Sequence, residues 1–211
     1  MLESMGEVGA VAILLGCGVW WVLAWVTEQS LRNVPALRSL SPAPRESWPR
    51  LSVVVPARDE AETLEAALSS LRSSNYPNLE IVLVNDRSND HTGTIMNRVA
   101  AQDERVRVVH VFGLPEGWLG KVHALEQGQQ QAQGEWLLFT DADVHFAPDA
   151  LQKALDWAEQ PSLGYLSVIP EVRSTHWQLR AVYTMFLSVF CLGTKMWRVN
   201  PGDAFVGAGA F

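Results

Sequence analysis

Apolar and polar positions follow three different rhythms along this chain. Between Val8 and Val26 no residue carries a charge. About 19 residues at the helical rise would cover most of a hydrocarbon core, so the stretch predicts a transmembrane helix. Trp20, Trp21 and Trp25 crowd its carboxyl end, where indole rings favour a membrane interface. A secretory signal peptide is the rival, but the opening Met-Leu-Glu-Ser-Met-Gly-Glu lacks basic residues and the apolar run is long for one. From Leu51 the rhythm changes to short runs rich in Val, Ile and Leu, separated by helix-length stretches of mixed polarity. Leu51 to Pro56, Leu79 to Asn85, Val106 to Val111, Trp136 to Thr140 and a run near Tyr165 to Ile169 read as strands. Ala61 to Ser73, Thr92 to Ala101, Lys121 to Gln133 and Pro148 to Glu159 read as helices. Strand and helix in strict rotation imply right-handed crossovers and a mostly parallel sheet flanked by helices. The third rhythm is an apolar stretch, Ala181 to Leu192, with Trp177 and Trp197 outside it and Arg180, Lys195 and Arg198 at its edges. It is short for a span and predicts an interfacial helix over 177–198, or a core helix; periodicity leaves both open.

Composition narrows the class. With 211 residues, 48% hydrophobic and 18% charged, the chain can bury a substantial core and is not a disordered polymer. A net charge of -7 argues against nucleic-acid binding, which relies on clustered Lys and Arg. The two cysteines, Cys17 and Cys191, sit one in each of two apolar stretches and suit a reducing compartment rather than a disulfide framework. Arg32, Arg38, Arg45 and Arg50 follow the predicted span and no basic residue precedes it. That asymmetry predicts an inner (plasma) membrane protein whose carboxyl part faces the cytoplasm. The expected organisation is a membrane anchor over 1–30, a Pro- and Arg-rich tether over 31–50, and an α/β domain over 51–211.

The candidate chemistry lies where predicted strands end. Leu137-Leu138-Phe139-Thr140 reads as a buried strand that runs into Asp141-Ala142-Asp143, and side chains two apart on a strand share a face, so the two carboxylates are expected to grip one hard cation. Such a cation serves a substrate that brings its own negative oxygens, a diphosphate first of all. Arg58, Asp59 and Glu60 follow the first strand, and Asp86 and Arg87 the second, so three loops supply acids to one rim, where ligands of open α/β sheets bind. Ser88-Asn89-Asp90 needs no more than turn formation to explain it. His145 reads as a loop residue rather than a ligand.

Four segments in order, Val54-Val55-Pro56-Ala57-Arg58-Asp59-Glu60, Val84-Asn85-Asp86-Arg87-Ser88-Asn89-Asp90, Gly120-Lys121-Val122-His123-Ala124-Leu125 and Thr140-Asp141-Ala142-Asp143, resemble the family 2 glycosyltransferases of the GT-A fold. The stretch from Gly193 to Phe211 resembles the subgroup associated with hopanoid biosynthesis. The resemblance implies that backbone at Pro56-Ala57 with Asp59 or Glu60 holds the nucleoside, and that Asp86 accepts a hydrogen bond from the ring N-H of uracil. It implies that Asp141 and Asp143 meet the diphosphate through Mg2+ or Mn2+, with Asp143 the direct ligand and Asp141 nearer the ribose or the metal's waters, and that Lys121 faces the diphosphate. Trp118 walls the pocket or simply packs. The implied activity is inverting transfer of a sugar from a nucleotide-diphosphate sugar, a UDP-sugar, to a lipid or lipid-linked acceptor. The family's base is an Asp downstream of the Gly-Ala-Gly-Ala-Phe region, so it is expected beyond Phe211, and residues 1–211 are expected to bind donor but transfer poorly. The alternatives are a non-catalytic nucleotide-sugar binder and a subunit of a larger synthase. A nucleotidylyltransferase is disfavoured because the loop after the first strand has no glycine.

Overall fold

The computed structural model describes residues 2–33, 36–159, 166–172 and 175–194. Their helices are α1 (Leu2–Asn33), α2 (Leu64–Arg72), α3 (Thr92–Gln102), α4 (Gly120–Gln131), α5 (Ala150–Ala158) and α6 (Trp177–Thr194). Their strands are β1 (Leu51–Ala57), β2 (Leu79–Asp86), β3 (Val106–Val111) and β4 (Trp136–Phe139). The chain divides into two compact units, one from the described parts of 1–40 and 160–208, the other from 41–159.

In the second unit the strands form one parallel sheet in the order β3-β2-β1-β4. Val53 lies level with Ile81 on one side and Leu138 on the other. Alternation along β1 sends Leu51, Val53, Val55 and Ala57 to one face, where they pack with Leu64, Leu68 and Leu71 of α2, Met96 and Val99 of α3, and Leu151 and Leu155 of α5. Val54, with Val82 and Val84 of β2, packs on the opposite face with Ala124 of α4. Gly128 lets α4 lie this close, since a Cβ there would run into Val54 Cγ1 and come within 2.8 Å of Val84 Cγ2. The expected strands and helices of this unit form with ends shifted by at most three residues.

Three expectations change. The fourth strand is half exposed rather than buried, with Leu137 38% and Phe139 44% accessible, because β4 pairs only with β1 among the described residues. No strand forms over the described residues 166–172, which belong to the other unit; Tyr165 lies outside the described residues. The tether expected over 31–50 is, in its second half, strapped to the sheet unit. Arg45 pairs with Asp156 and Glu159, both at 2.5 Å, and its guanidinium lies 4.2 Å over the Trp48 ring. Trp48 meets Tyr76 edge-on at 5.3 Å, and the Tyr76 hydroxyl donates to Pro49 O at 2.7 Å. Burial pushes the Tyr76 hydroxyl pKa well above its ordinary value.

In the first unit α1 and α6 pack on each other, with Val26, Thr27 and Ser188 buried. Around that seam many of the exposed side chains are apolar, including Leu14, Leu15, Trp21 and Trp25 of α1 and Trp177, Val182 and Phe186 of α6. Among the described residues no helix is long and apolar enough to cross a membrane. The transmembrane helix expected over Val8 to Val26 falls on α1, and the side chains of Val8 to Ala10 and of Ala12 lie outside the described residues.

Candidate functional site

The sheet order reverses between β1 and β4, so a crevice is expected at their carboxyl ends. Pro56 opens it. Thr140 N donates to Val54 O at 3.2 Å, and the next rung of a parallel ladder would run from residue 56 N-H to Thr140 O. Proline has no N-H, so the two chains part there, with Pro56 and Ala57 still paired to Val84 and Asn85 of β2.

Asp86 ends β2 on one side of this rim and is 5% exposed. Arg87 grips both of its oxygens, Nε to Oδ1 at 2.8 Å and Nη2 to Oδ2 at 3.1 Å. Adjacent side chains on an extended chain point apart, and the pair forms because Arg87 takes a left-handed conformation, φ 56, with its N-H on Val111 O at 3.1 Å. A strained, non-glycine residue of this kind is a pointer to a site. Gly120, first residue of α4, abuts the pair: a Cβ there would stand 2.6 Å from Arg87 Nη2 and 3.2 Å from Asp86 Oδ2.

One residue further on, Lys121 Nζ reaches Asp141 Oδ1 at 2.5 Å. Asp141-Ala142-Asp143 forms a turn beyond β4 rather than a continuation of the strand, closed by Val144 N on Asp141 O at 3.5 Å. The two carboxylates therefore do not share a strand face. Ala142 is buried and pins the turn, while Asp141 is partly and Asp143 fully exposed. His145 is exposed in the following loop. Among the described residues no group of three or more His, Cys, Asp or Glu side chains could hold a metal ion. Two oxygen donors without a third protein ligand fit Mg2+ or Mn2+ completed by phosphate oxygens and water, and do not fit a closed zinc site.

Asp59 and Glu60 are used in building the loops. Asp59, also left-handed at φ 56, accepts the Asn89 N-H at 2.7 Å and donates its own N-H to Ser88 Oγ at 3.1 Å. Glu60 N-H donates to Thr92 Oγ1 at 2.9 Å, Ala61 N-H to Asp90 Oδ2 at 3.1 Å, and Thr63 Oγ1 to the Glu60 carboxylate at 3.0 Å. The Thr92 hydroxyl and N-H, with Ala61 N-H, hold the Asp90 carboxyl below its ordinary pKa. Ser88, Asp90 and Thr92 thus staple the loops after β1 and β2 into one rim. Turn propensity flagged Ser88 and Asp90, but nothing in their spacing shows the partner loop. The Arg87 fork has no sequence signal, because spacing by one normally separates side chains. His123, 8% exposed and edge-on to Trp118 at 5.4 Å, keeps Nδ1 without a hydrogen-bond partner.

The chain has known relatives. Residues 52–210 match the model of Glycosyl transferase family 2, and the chain belongs to that family. It is 28% identical over 158 residues to a poly-beta-1,6-N-acetyl-D-glucosamine synthase of Staphylococcus epidermidis, an alignment covering 74% of this chain and 37% of the relative. It is 28% identical over 174 residues to a beta-monoglucosyldiacylglycerol synthase of Synechocystis, covering 75% of this chain and 36% of the relative. Among solved structures, a mannosyltransferase from Pyrobaculum calidifontis in complex with GDP-Man and Mn2+ superposes with a TM-score of 0.61 at 29% identity, over 77% of this chain and 47% of that one. The chain spans less than half the length of each of these relatives. The fold is the parallel α/β sheet of the GT-A glycosyltransferases.

Proposed function

We propose that this chain carries the donor-binding part of an inverting glycosyltransferase that moves a sugar from a nucleotide-diphosphate sugar, a UDP-sugar by family resemblance, to a lipid or lipid-linked acceptor such as a hopanoid. The carrying observation is the convergence of Asp86, Lys121 and Asp141 on the crevice that Pro56 opens. Pro56-Ala57 backbone and the Asp86 carboxylate hold the nucleoside, with Asp59 and Glu60 shaping the loop that borders it. Asp141 and Asp143 hold Mg2+ or Mn2+ against the diphosphate, and the ion, when bound, neutralises charge that grows on the leaving phosphate. Lys121 adds its ammonium, and the amino end of α4 its dipole, to the same charge. No general base is assigned among the described residues, and Asp203 lies outside them. The Mn2+ and GDP-Man of the Pyrobaculum mannosyltransferase support the metal and make GDP the comparison nucleotide.

Membrane attachment on the cytoplasmic side of the inner membrane is part of the same reading. It is supported by the exposed apolar side chains and tryptophans of α1 and α6 and by the arginines that follow α1. The lipid acceptor draws on the Synechocystis relative, whose name specifies a glycosylated diacylglycerol. Calorimetry of UDP, GDP and their sugars, with Mn2+ present or chelated, tests the donor site. Binding is expected to weaken at least about tenfold on chelation and in Asp143→Ala, the loss typical of removing one charged contact. Failure of either nucleotide to bind the wild-type chain in Mn2+ would sink the proposal. Flotation with anionic phospholipid vesicles tests the membrane part, and protein left at the bottom of the gradient refutes it.

A further inference from the structure

The carboxylate that a divalent ion would use already has a cation on it. Lys121 Nζ stands 2.5 Å from Asp141 Oδ1, the side chains being 38% and 25% exposed. Lys121 lies in the first turn of α4, so the positive helix end adds to the ammonium charge beside that oxygen. An ion held by the Asp141-Ala142-Asp143 turn would face the ammonium across a few ångströms, and like charges that close repel strongly. We propose that Lys121 occupies the metal's place on Asp141 in the nucleotide-free protein, so that ion and nucleotide diphosphate enter as a unit. The diphosphate gives the ammonium a second anionic partner, draws it off Asp141 and supplies the oxygens that two protein carboxylates leave missing from the ion's shell. Lys121 is then a positioning residue with two opposite effects: it weakens binding of the ion alone and strengthens binding of the nucleotide. The coupling is reciprocal, so each ligand tightens the other by the same factor.

The inference rests on the donor-site reading above, and its test separates the two. Mn2+ binding is followed by electron paramagnetic resonance of the free ion, on the full 211-residue chain in mild detergent, alone and with saturating UDP or GDP. The wild type is expected to bind Mn2+ more than about tenfold tighter with nucleotide than without. Lys121→Met is expected to bind Mn2+ alone about tenfold tighter than wild type, to bind nucleotide more weakly, and to bring the coupling factor close to one. Lys121→Arg, which keeps the charge, retains the coupling. A lysine with a merely structural role would change both affinities in the same direction, so the opposite signs are diagnostic. The side chain is outside the core and Lys121→Gln provides a second neutral variant. Mn2+ binding by both neutral variants no tighter than wild type overturns the inference while leaving the donor site standing. Failure of wild type to bind either nucleotide overturns both.

Discussion

Removing the Glu80 carboxylate should be among the costliest single changes in the sheet unit. Glu80 lies on β2 at the end of the sheet opposite the crevice and is 4% exposed. It accepts hydrogen bonds from Ser52 Oγ at 2.5 Å, Gln133 N at 2.8 Å and Arg50 Nη2 at 3.0 Å, with Arg107 at 3.9 Å. Ser52 Oγ in turn accepts Gly134 N-H at 2.7 Å, so one carboxylate ties β1, β2 and the connection from α4 to β4 together. Glu80→Ala leaves a hydroxyl, a backbone N-H and the Arg50 guanidinium without this acceptor, and removes the charge beside Arg107. Each charge-assisted bond contributes about 1.5–3 kcal/mol, but the bonds are not additive, and breaking a buried charged cluster from one side costs about 3–5 kcal/mol. That is a large share of the roughly 5–15 kcal/mol that stabilises a typical domain. Glu80→Gln keeps the shape and one acceptor and should cost about 1–2 kcal/mol. Burial raises the Glu80 pKa, but the Ser52 hydroxyl, the Gln133 N-H and the charges of Arg50 and Arg107 outweigh it and bring it below its ordinary value. With the folded value depressed, the contribution is complete above the unfolded pKa of about 4.3 and is lost as pH falls through the lower folded value. Urea unfolding in mild detergent, followed by near-ultraviolet circular dichroism at pH 7 and at about pH 3, measures both effects. A Glu80→Ala cost under about 1 kcal/mol at pH 7, or a cost that grows as pH falls, would refute the reasoning.

Two glycines give further predictions. Gly128→Val places methyls against Val54 and Val84, whose branched side chains are locked in the core, and should destabilise the sheet unit by about 1–3 kcal/mol in the same urea assay. Gly120→Ala puts a Cβ 2.6 Å from Arg87 Nη2 and 3.2 Å from Asp86 Oδ2, so it displaces the ion pair rather than the core. UDP affinity measured by calorimetry should fall by about tenfold with little change in urea midpoint, and an unchanged affinity would show that the pair is not part of the donor site.

Strands β1 and β2 were legible as short apolar runs because both of their faces are covered, and helices α2, α3 and α5 because each buries one apolar face whose period shows in the chain. Leu64, Leu68 and Leu71 of α2 repeat as the packing repeats. The second half of the tether assigned to 31–50 was read less well. Composition reports what a stretch could bury, and it did not register that Arg45 and Trp48 find Asp156, Glu159 and Tyr76 more than twenty residues away.

The chemical inventory of the rim, Asp86, Lys121, Asp141 and Asp143, was present in the sequence, since each follows a strand or opens a helix. Only the folded chain decided what each acid meets. Arg87 turns back on Asp86 because its backbone is left-handed, Lys121 crosses twenty residues to reach Asp141, and Asp141-Ala142-Asp143 bends into a turn once Pro56 has ended the ladder. Local order follows from periodicity, which a linear string carries. Pairing of charges depends on backbone dihedrals and on distances between segments remote in the chain, and those exist only after the sheet has closed around its core.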